Sequence, residues 1–415
     1  MAGDSSLRMA RRREDLLAEF QIEQLRERLR MRVGCCDDEI RVVRSPLRVS
    51  PLGAHVDHQD GLVTGMALDR AIYLAFVPRE DGMMRVESLN FPGCSEFNLE
   101  NVPPRIQGDW ANYARGAVLA LKQSYDLRIG IDAEVMGMMP IGGLSSSAAV
   151  GVAYLLAIEA VNDLELPAEE NIQLDRYIEN VYLGLKNGVL DQSVILLSAR
   201  GCLTYLDCQT MDVQRVPTSA SPDNFEILVA YSGVKKALVG TDYNNRVDEC
   251  HEAARLLLEW SGVPQPNGNS RLRLVSPEVY AAYGERLPAP LDRRARHFFT
   301  ELHRVQEGVE AWRSGRMEQL GQLMRESGAS SVHDYESGSP HLTTLYEILC
   351  ECPGVYGARF SGGGFRGACI GLSNPDQREE IVAFIDKRYP AAHTDIAGLY
   401  SIHFCQTSEA AHLMD

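Results

Sequence analysis

No uncharged apolar run in this 415-residue chain reaches the roughly 20 residues needed to span a bilayer. The opening MAGDSSLRMARRREDLL also lacks the apolar stretch of a secretory signal. Ten cysteines are scattered irregularly and none forms a CxxC half-site. The lone CxC, Cys350 and Cys352, has no second pair at zinc spacing and falls where a helix should end before Pro353. It reads as small residues at a helix end. These absences predict a cytoplasmic protein with free thiols and no membrane partner. Basic residues are also in deficit, 41 Lys plus Arg against 57 Asp plus Glu, for a net charge of −16. That field repels phosphate backbones and excludes nucleic acid as a bulk partner, while leaving room for a small anion in a local basic pocket. No repeat of solenoid period occurs.

What is present is ordinary globular composition, 45% apolar and 24% charged. Patterning predicts an N-terminal α/β half to about residue 215 and a C-terminal α+β half, with a crevice between them. Helices are expected over 8–32, 110–121, 145–162, 169–183, 245–260, 291–314, 317–326, 340–352 and 376–389, with another starting near Leu190. Strands are expected at 40–43, 47–49, 72–77, 84–89, 204–207 and 225–230, and on both sides of a glycine loop near 362.

Three segments concentrate chemistry. In PIGGLSSSAA, residues 140–149, glycines precede three hydroxyls and a helix of small residues. Glycine lets backbone amides approach a ligand, and the helix N-terminus adds unsatisfied N–H groups and partial positive charge. That suits phosphate, with a hydroxyl available to Mg²⁺. It suits a tightly packed, serine-capped helix too. No Lys follows the glycines, so this is not a P-loop. GARFSGGGFRG, residues 357–367, holds five glycines, too many for an ordinary turn and suited to backbone lying against a ligand. RSPLRVSPLGAHVDHQDG, residues 44–61, gathers Arg48, His55, Asp57, His58 and Asp60, a set compatible with metal, with polyol hydroxyls or with a solvated turn. Asp191, just after Gly188 at an apparent helix start, fits an N-cap or a catalytic acid.

In order along the chain, LRVSPLGAHVDHQDG, IGGLSSSAA and GARFSGGGFRG resemble the three signatures of the GHMP small-molecule kinase superfamily, specifically its galactokinase branch. ENVYLGLKNGVLDQS resembles the stretch carrying that branch's catalytic acid, and TDYNNRVDEC its Tyr–Asn–Arg stretch. The matches span residues 44–370. The resemblance implies an α+β, two-lobed fold, with domains 1–215 and 216–415 and the site in the cleft between them. It also implies ATP, Mg²⁺ and phosphorylation of a sugar's anomeric hydroxyl. By motif position, Asp191 resembles the catalytic base and Arg48 its cationic partner. Ser147 and Glu179 resemble the Mg²⁺ pair. His55, Asp57 and Tyr243 resemble sugar contacts, and Gly188 a residue lining the sugar pocket. Gly142, Gly143, Leu144, Ser145, Ser146, Ser147 and Gly363 fall in the nucleotide-holding loops.

The chain departs from the galactokinase pattern at one telling place. Galactokinases read Gly–Glu–His–x–Asp–Tyr in the sugar motif, and this chain reads Gly53–Ala54–His55–Val56–Asp57–His58. In that family the Glu binds the C6 hydroxyl. A sugar with a C6 carboxylate would be repelled by it, so Ala54 removes a repulsion, and His58 or Arg366 is the expected counter-charge. The pattern resembles the galacturonokinase branch and implies D-galacturonate as the sugar acid, converted to its 1-phosphate. The rivals are galactokinase acting on D-galactose, a non-catalytic galactokinase-like sugar sensor, against which Asp191 and Arg48 argue, and another GHMP kinase. The phosphate loop is one residue shorter than the common PxGxGLSSS, which alters the contact expected of Gly142. Monomer and dimer are equally compatible with the sequence.

Overall fold

The computed structural model describes residues 3–139, 142–221, 224–234, 242–263, 270–365 and 367–414, with side chains from residue 16 onward. After helix α1 (Gly3–Val33), strands β1 (Arg41–Val49), β2 (Leu62–Arg79), β3 (Met83–Ser88) and β4 (Cys94–Asn98) follow. Helix α2 (Asn112–Leu121) leads to β5 (Gly130–Gly137), then α3 (Ser146–Val161), α4 (Ala168–Arg176) and α5 (Leu190–Leu197). The hairpin β6 (Cys202–Asp207) and β7 (Asp212–Pro217) precedes β8 (Glu226–Tyr231). Five helices come next: α6 (Tyr243–Ser261), α7 (Pro277–Tyr283), α8 (Ala289–Arg313), α9 (Met317–His333) and α10 (Pro340–Glu351). Strands β9 (Val355–Phe360) and β10 (Ala368–Ser373), helix α11 (Arg378–Ala392) and strands β11 (Ser401–Cys405) and β12 (His412–Met414) complete the chain.

One sheet has the order β12-β1-β2-β5-β3-β4, with β6 and β7 attached to the first part of β2. The other has the order β11-β8-β10-β9. The chain thus returns at β12 to the sheet in which it began. Strands 40–43 and 47–49, expected separately, are one strand whose register against β2 shifts between Pro46 and Arg48, where proline cannot donate to the ladder.

Helix α3 is small and apolar all round because it is buried all round, with Ala149, Val152, Tyr154 and Ile158 in the main core. That core continues across both lobes, from Val43 and Leu74 to Trp312 and Ile370. In β8, Ile227 and Val229 join it, while Leu228 and Ala230 face a second core with Leu345 and Ile381. A strand covered on both faces reads, after Glu226, as the unbroken apolar run ILVAY. Among the described residues, no helix is long and apolar enough to cross a membrane. All ten cysteines are free.

Candidate active site

Helix α3 begins where the glycine and serine loop ends, and the loop bends back through Ser145 at φ 53°. Ser145 occupies the N-cap position, but its hydroxyl makes no cap. It donates instead to Oδ2 of Asp191. Asp191 sits one residue into α5, after the N-cap Val189, so the N-cap reading of this acid is set aside. Its Oδ1 accepts Nε of Arg48 at 2.8 Å, and Nη2 of Arg48 lies 2.6 Å from the same oxygen. Arg48, 3% exposed, is further held by its main-chain N–H, which donates to Leu144 O at 3.2 Å. Strand, loop and helix therefore converge on one carboxylate.

This carboxylate lines a 380 Å³ cavity with Arg48, Ala54, His55, Asp57 and Tyr243. Gly142, Gly143, Ser145, Ser146, Ser147 and Gly363 line it from the two glycine loops. Leu144 does not; its side chain is in the core. The helix of 16 residues aims its first N–H groups and dipole at this wall, a physical fit to phosphate. The loops also touch each other. A β-carbon on Gly367 would lie 2.4 Å from Gly142 O, and one on Gly362 would lie 3.1 Å from the Cα of Gly143. Part of the glycine requirement is thus loop against loop, not loop against ligand. The run Gly362–Gly367 has GxGxxG spacing, but it joins antiparallel strands, not the strand and helix of a dinucleotide site.

The expected helix 169–183 is α4 followed by a π-helical segment, Tyr177–Tyr182, which carries Glu179. Glu179 is 1% exposed, faces the Ser147 hydroxyl and accepts Nδ2 of Asn187 at Oε2. Its Oε1 is buried with no hydrogen-bond partner among the described residues. Burial, then the charge of Asp191, pushes its carboxyl up to about 7. An enclosed carboxylate oxygen without a donor, beside a hydroxyl, fits a divalent cation.

Burial, then Asp191, likewise raises Asp57 to about 6. His55 adopts φ 57° and stacks on Tyr335 at 4.1 Å between centroids.

Residues 112–199 and 307–391 match the GHMP kinase N-terminal and C-terminal domains, and residues 33–78 match the galactokinase galactose-binding signature. A galacturonokinase from Arabidopsis thaliana is 42% identical over 422 residues, covering 95% of this chain and 98% of that protein. The chain belongs to the galactokinase branch of the GHMP kinases. A galactokinase from Chloroflexus aggregans is 36% identical over 345 residues, 83% of this chain and 86% of its own. The crystal structure of Lactococcus lactis galactokinase complexed with galactose matches this GHMP kinase with a TM-score of 0.85 at 28% identity, covering 94% of this chain and 99% of that one. Mevalonate kinase from Methanococcus jannaschii shares the fold, with a TM-score of 0.62 at 16% identity, covering 89% and 98%.

Two motif residues of this kinase, His58 and Gly188, line a second cavity. His58 is 5% exposed, with Nε2 3.1 Å from the Tyr335 hydroxyl and Nδ1 3.1 Å from Gln59 Nε2. The second cavity that it lines lies behind Asp57 and shares Asp57, Leu185 and Asn187 with the main one. Burial, then the charges of His251 and Arg271, lowers it to about 3, so it is neutral and supplies no counter-charge. Gly188 lines that second cavity too and packs directly against Asp57, which lines both. Arg366 lies outside the described residues. The sequence reading missed Arg359 and the aromatic wall of Phe91, Trp110 and Tyr113, all of which line the main cavity. Arg359 was visible as a charge alternating with apolar residues in β9. Nothing local marked the aromatic residues, which come from two loops and a helix.

Proposed function

We propose that this kinase transfers the γ-phosphoryl group of ATP to the anomeric hydroxyl of D-galacturonate, releasing ADP and galacturonate 1-phosphate. The observation that carries the reading is the meeting of Arg48, Asp191 and the serine loop in one cavity that also holds Ala54. The 42% identity to a galacturonokinase over nearly the whole chain supports the choice of sugar acid.

Asp191 accepts the C1 hydroxyl proton as the new O–P bond forms and the bond to the β-phosphate oxygen breaks. An anomeric hydroxyl is more acidic than an ordinary alcohol, so an ionised carboxylate suffices. Arg48, paired with Asp191, adds positive charge near the transferred group. Ser145, donating to the far oxygen, fixes the carboxylate's orientation. His55, Asp57 and Tyr243 hold ring hydroxyls, and the N–H groups of the serine loop hold phosphate oxygens. Phe91, Trp110 and Tyr113 form a wall that suits a purine ring. Ser147 and Glu179 would hold Mg²⁺, whose charge offsets that of the β- and γ-phosphates.

The test is ATP consumption with galacturonate, glucuronate, galactose and arabinose. Preference for galacturonate is expected. Preference for galactose overturns the sugar acid and leaves a galactokinase; no turnover with any sugar overturns the kinase chemistry.

A further inference from the structure

A sugar acid brings a carboxylate into a cleft, and the cleft has to neutralise it. Three arginines lie near one another here, Arg48, Arg304 and Arg359, and of these Arg48 and Arg359 line the cavity. Arg48 pairs with Asp191 at 2.6 Å, and Arg304 pairs with Glu301 at 2.7 Å. Arg359 has only a long ion pair. Its nearest acid is Glu301, 3.9 Å from Nη1 and beyond hydrogen-bond distance. Glu301 is already engaged: Oε1 accepts Gly53 N–H at 2.7 Å, Ala54 N–H at 3.1 Å and the Ser327 hydroxyl at 2.7 Å. Its Oε2 accepts Nε of Arg304 at 2.7 Å.

Arg359 is 2% exposed, and its Nε and Nη1 have no hydrogen-bond partner among the described residues. A buried cation with open donors is costly unless something pairs with it. Burial lowers Arg359 to about 10, which leaves it charged at neutral pH. Its direction follows from strand periodicity. In β9, Ala358 and Phe360 pack in the core with Leu345 and Leu349 and Arg359 lies on the opposite face; at this end of the strand Arg359 and Phe360 both line the cavity. Ala54 lines the same cavity, and its main-chain N–H donates to the Glu301 oxygen that lies 3.9 Å from Arg359 Nη1. The small side chain and the cation are therefore neighbours.

We propose that Arg359 is the specificity residue that receives the substrate's C6 carboxylate, in the space that Ala54 leaves open. This rests on the galacturonate reading. Arginine presents parallel N–H donors that match a carboxylate, and the pair would be shielded from solvent. His58, neutral and turned to the rear cavity, does not compete for the role.

The experiment compares galacturonate, its uncharged C6 amide and galactose with the wild-type kinase and with R359Q and R359K. Wild type is expected to favour the acid over the amide on the order of 100-fold in kcat/KM, the scale of one buried charge-assisted contact. R359Q is expected to lose that discrimination, mainly through KM for the acid, with KM for ATP unchanged. R359K should recover part of it. A wild type that turns over acid and amide alike overturns the assignment without any variant, so the test survives an R359Q that does not fold. R359Q that weakens acid, amide and galactose equally assigns Arg359 a structural role and overturns it as well. R359Q that keeps the wild-type preference for the acid overturns Arg359 alone and leaves the substrate standing. A wild type that uses galactose but no galacturonate overturns the substrate reading first, and Arg359's partner with it.

Discussion

Gly188 lies so close beneath Asp57 that a β-carbon there would stand 2.6 Å from Oδ2 and 2.6 Å from the main-chain carbonyl carbon. Backbone cannot yield cheaply at that distance. G188A should therefore displace Asp57 and with it the sugar. A loss on the order of 100-fold in kcat/KM for the sugar is expected, with KM for ATP little changed. Steady-state kinetics in both substrates checks this; an unchanged sugar KM would remove Asp57 from the sugar site.

Replacing the proposed base without disturbing its neighbours is the direct test of the chemistry. D191N keeps the side chain's shape and an oxygen for Arg48. kcat should fall by roughly 100-fold to 10,000-fold, while sugar binding by calorimetry is retained. Turnover within threefold of wild type would show that another group takes the proton.

Filling the space at Ala54 should separate two kinds of sugar. A54E places a carboxylate where the acid substrate brings its own. kcat/KM for galacturonate is expected to fall by about 100-fold through repulsion and loss of space, and galactose should suffer much less. Equal losses for both sugars would mean that size alone matters at this position.

Glu301 predicts an acid limb of stability. Burial raises its carboxyl, but Arg304, then His297 and Arg359, more than reverse this and hold it at about 2. An unfolded Glu titrates near about 4.3, so the folded state binds fewer protons than the unfolded state between those values. The stability from this group is complete above about 4.3 and is lost as pH falls toward about 2. E301Q should destabilise the kinase by about 3 kcal/mol or more at neutral pH, because Arg304 is left buried without its acid. It should also flatten the pH dependence across that window. Urea unfolding of both proteins from pH 7 downward measures both effects.

The loop at residues 142–149 was legible because its function depends on adjacent residues: glycines, hydroxyls and the helix start are contiguous in the chain. The long apolar helices were legible for the same reason. Strand β5 was not, since GIDAEVMG carries Asp132 and Glu134 into a sheet, where Arg32 of α1 approaches both. Strands β4, β11 and β12 are too short for periodicity to mark, β7 is mostly exposed, and helix α7 is only 7 residues long. The π-helical segment at Glu179 was invisible too, because residue patterning does not distinguish it from the α-helix that it interrupts.

The sequence by itself singled out Asp191, Arg48 and the serine loop, the groups proposed here to carry the chemistry, and showed that the sugar motif lacks its usual acid. Only the tertiary structure decided the charge states and neighbours around them. His58 is neutral because distant elements bury it beside His251 and Arg271. Arg359 in β9 has only a long ion pair because Glu301, on helix α8, is already engaged by main-chain donors and Arg304. Side-chain identity is written locally, but desolvation and pairing depend on everything packed within a few ångströms, most of it remote in the chain.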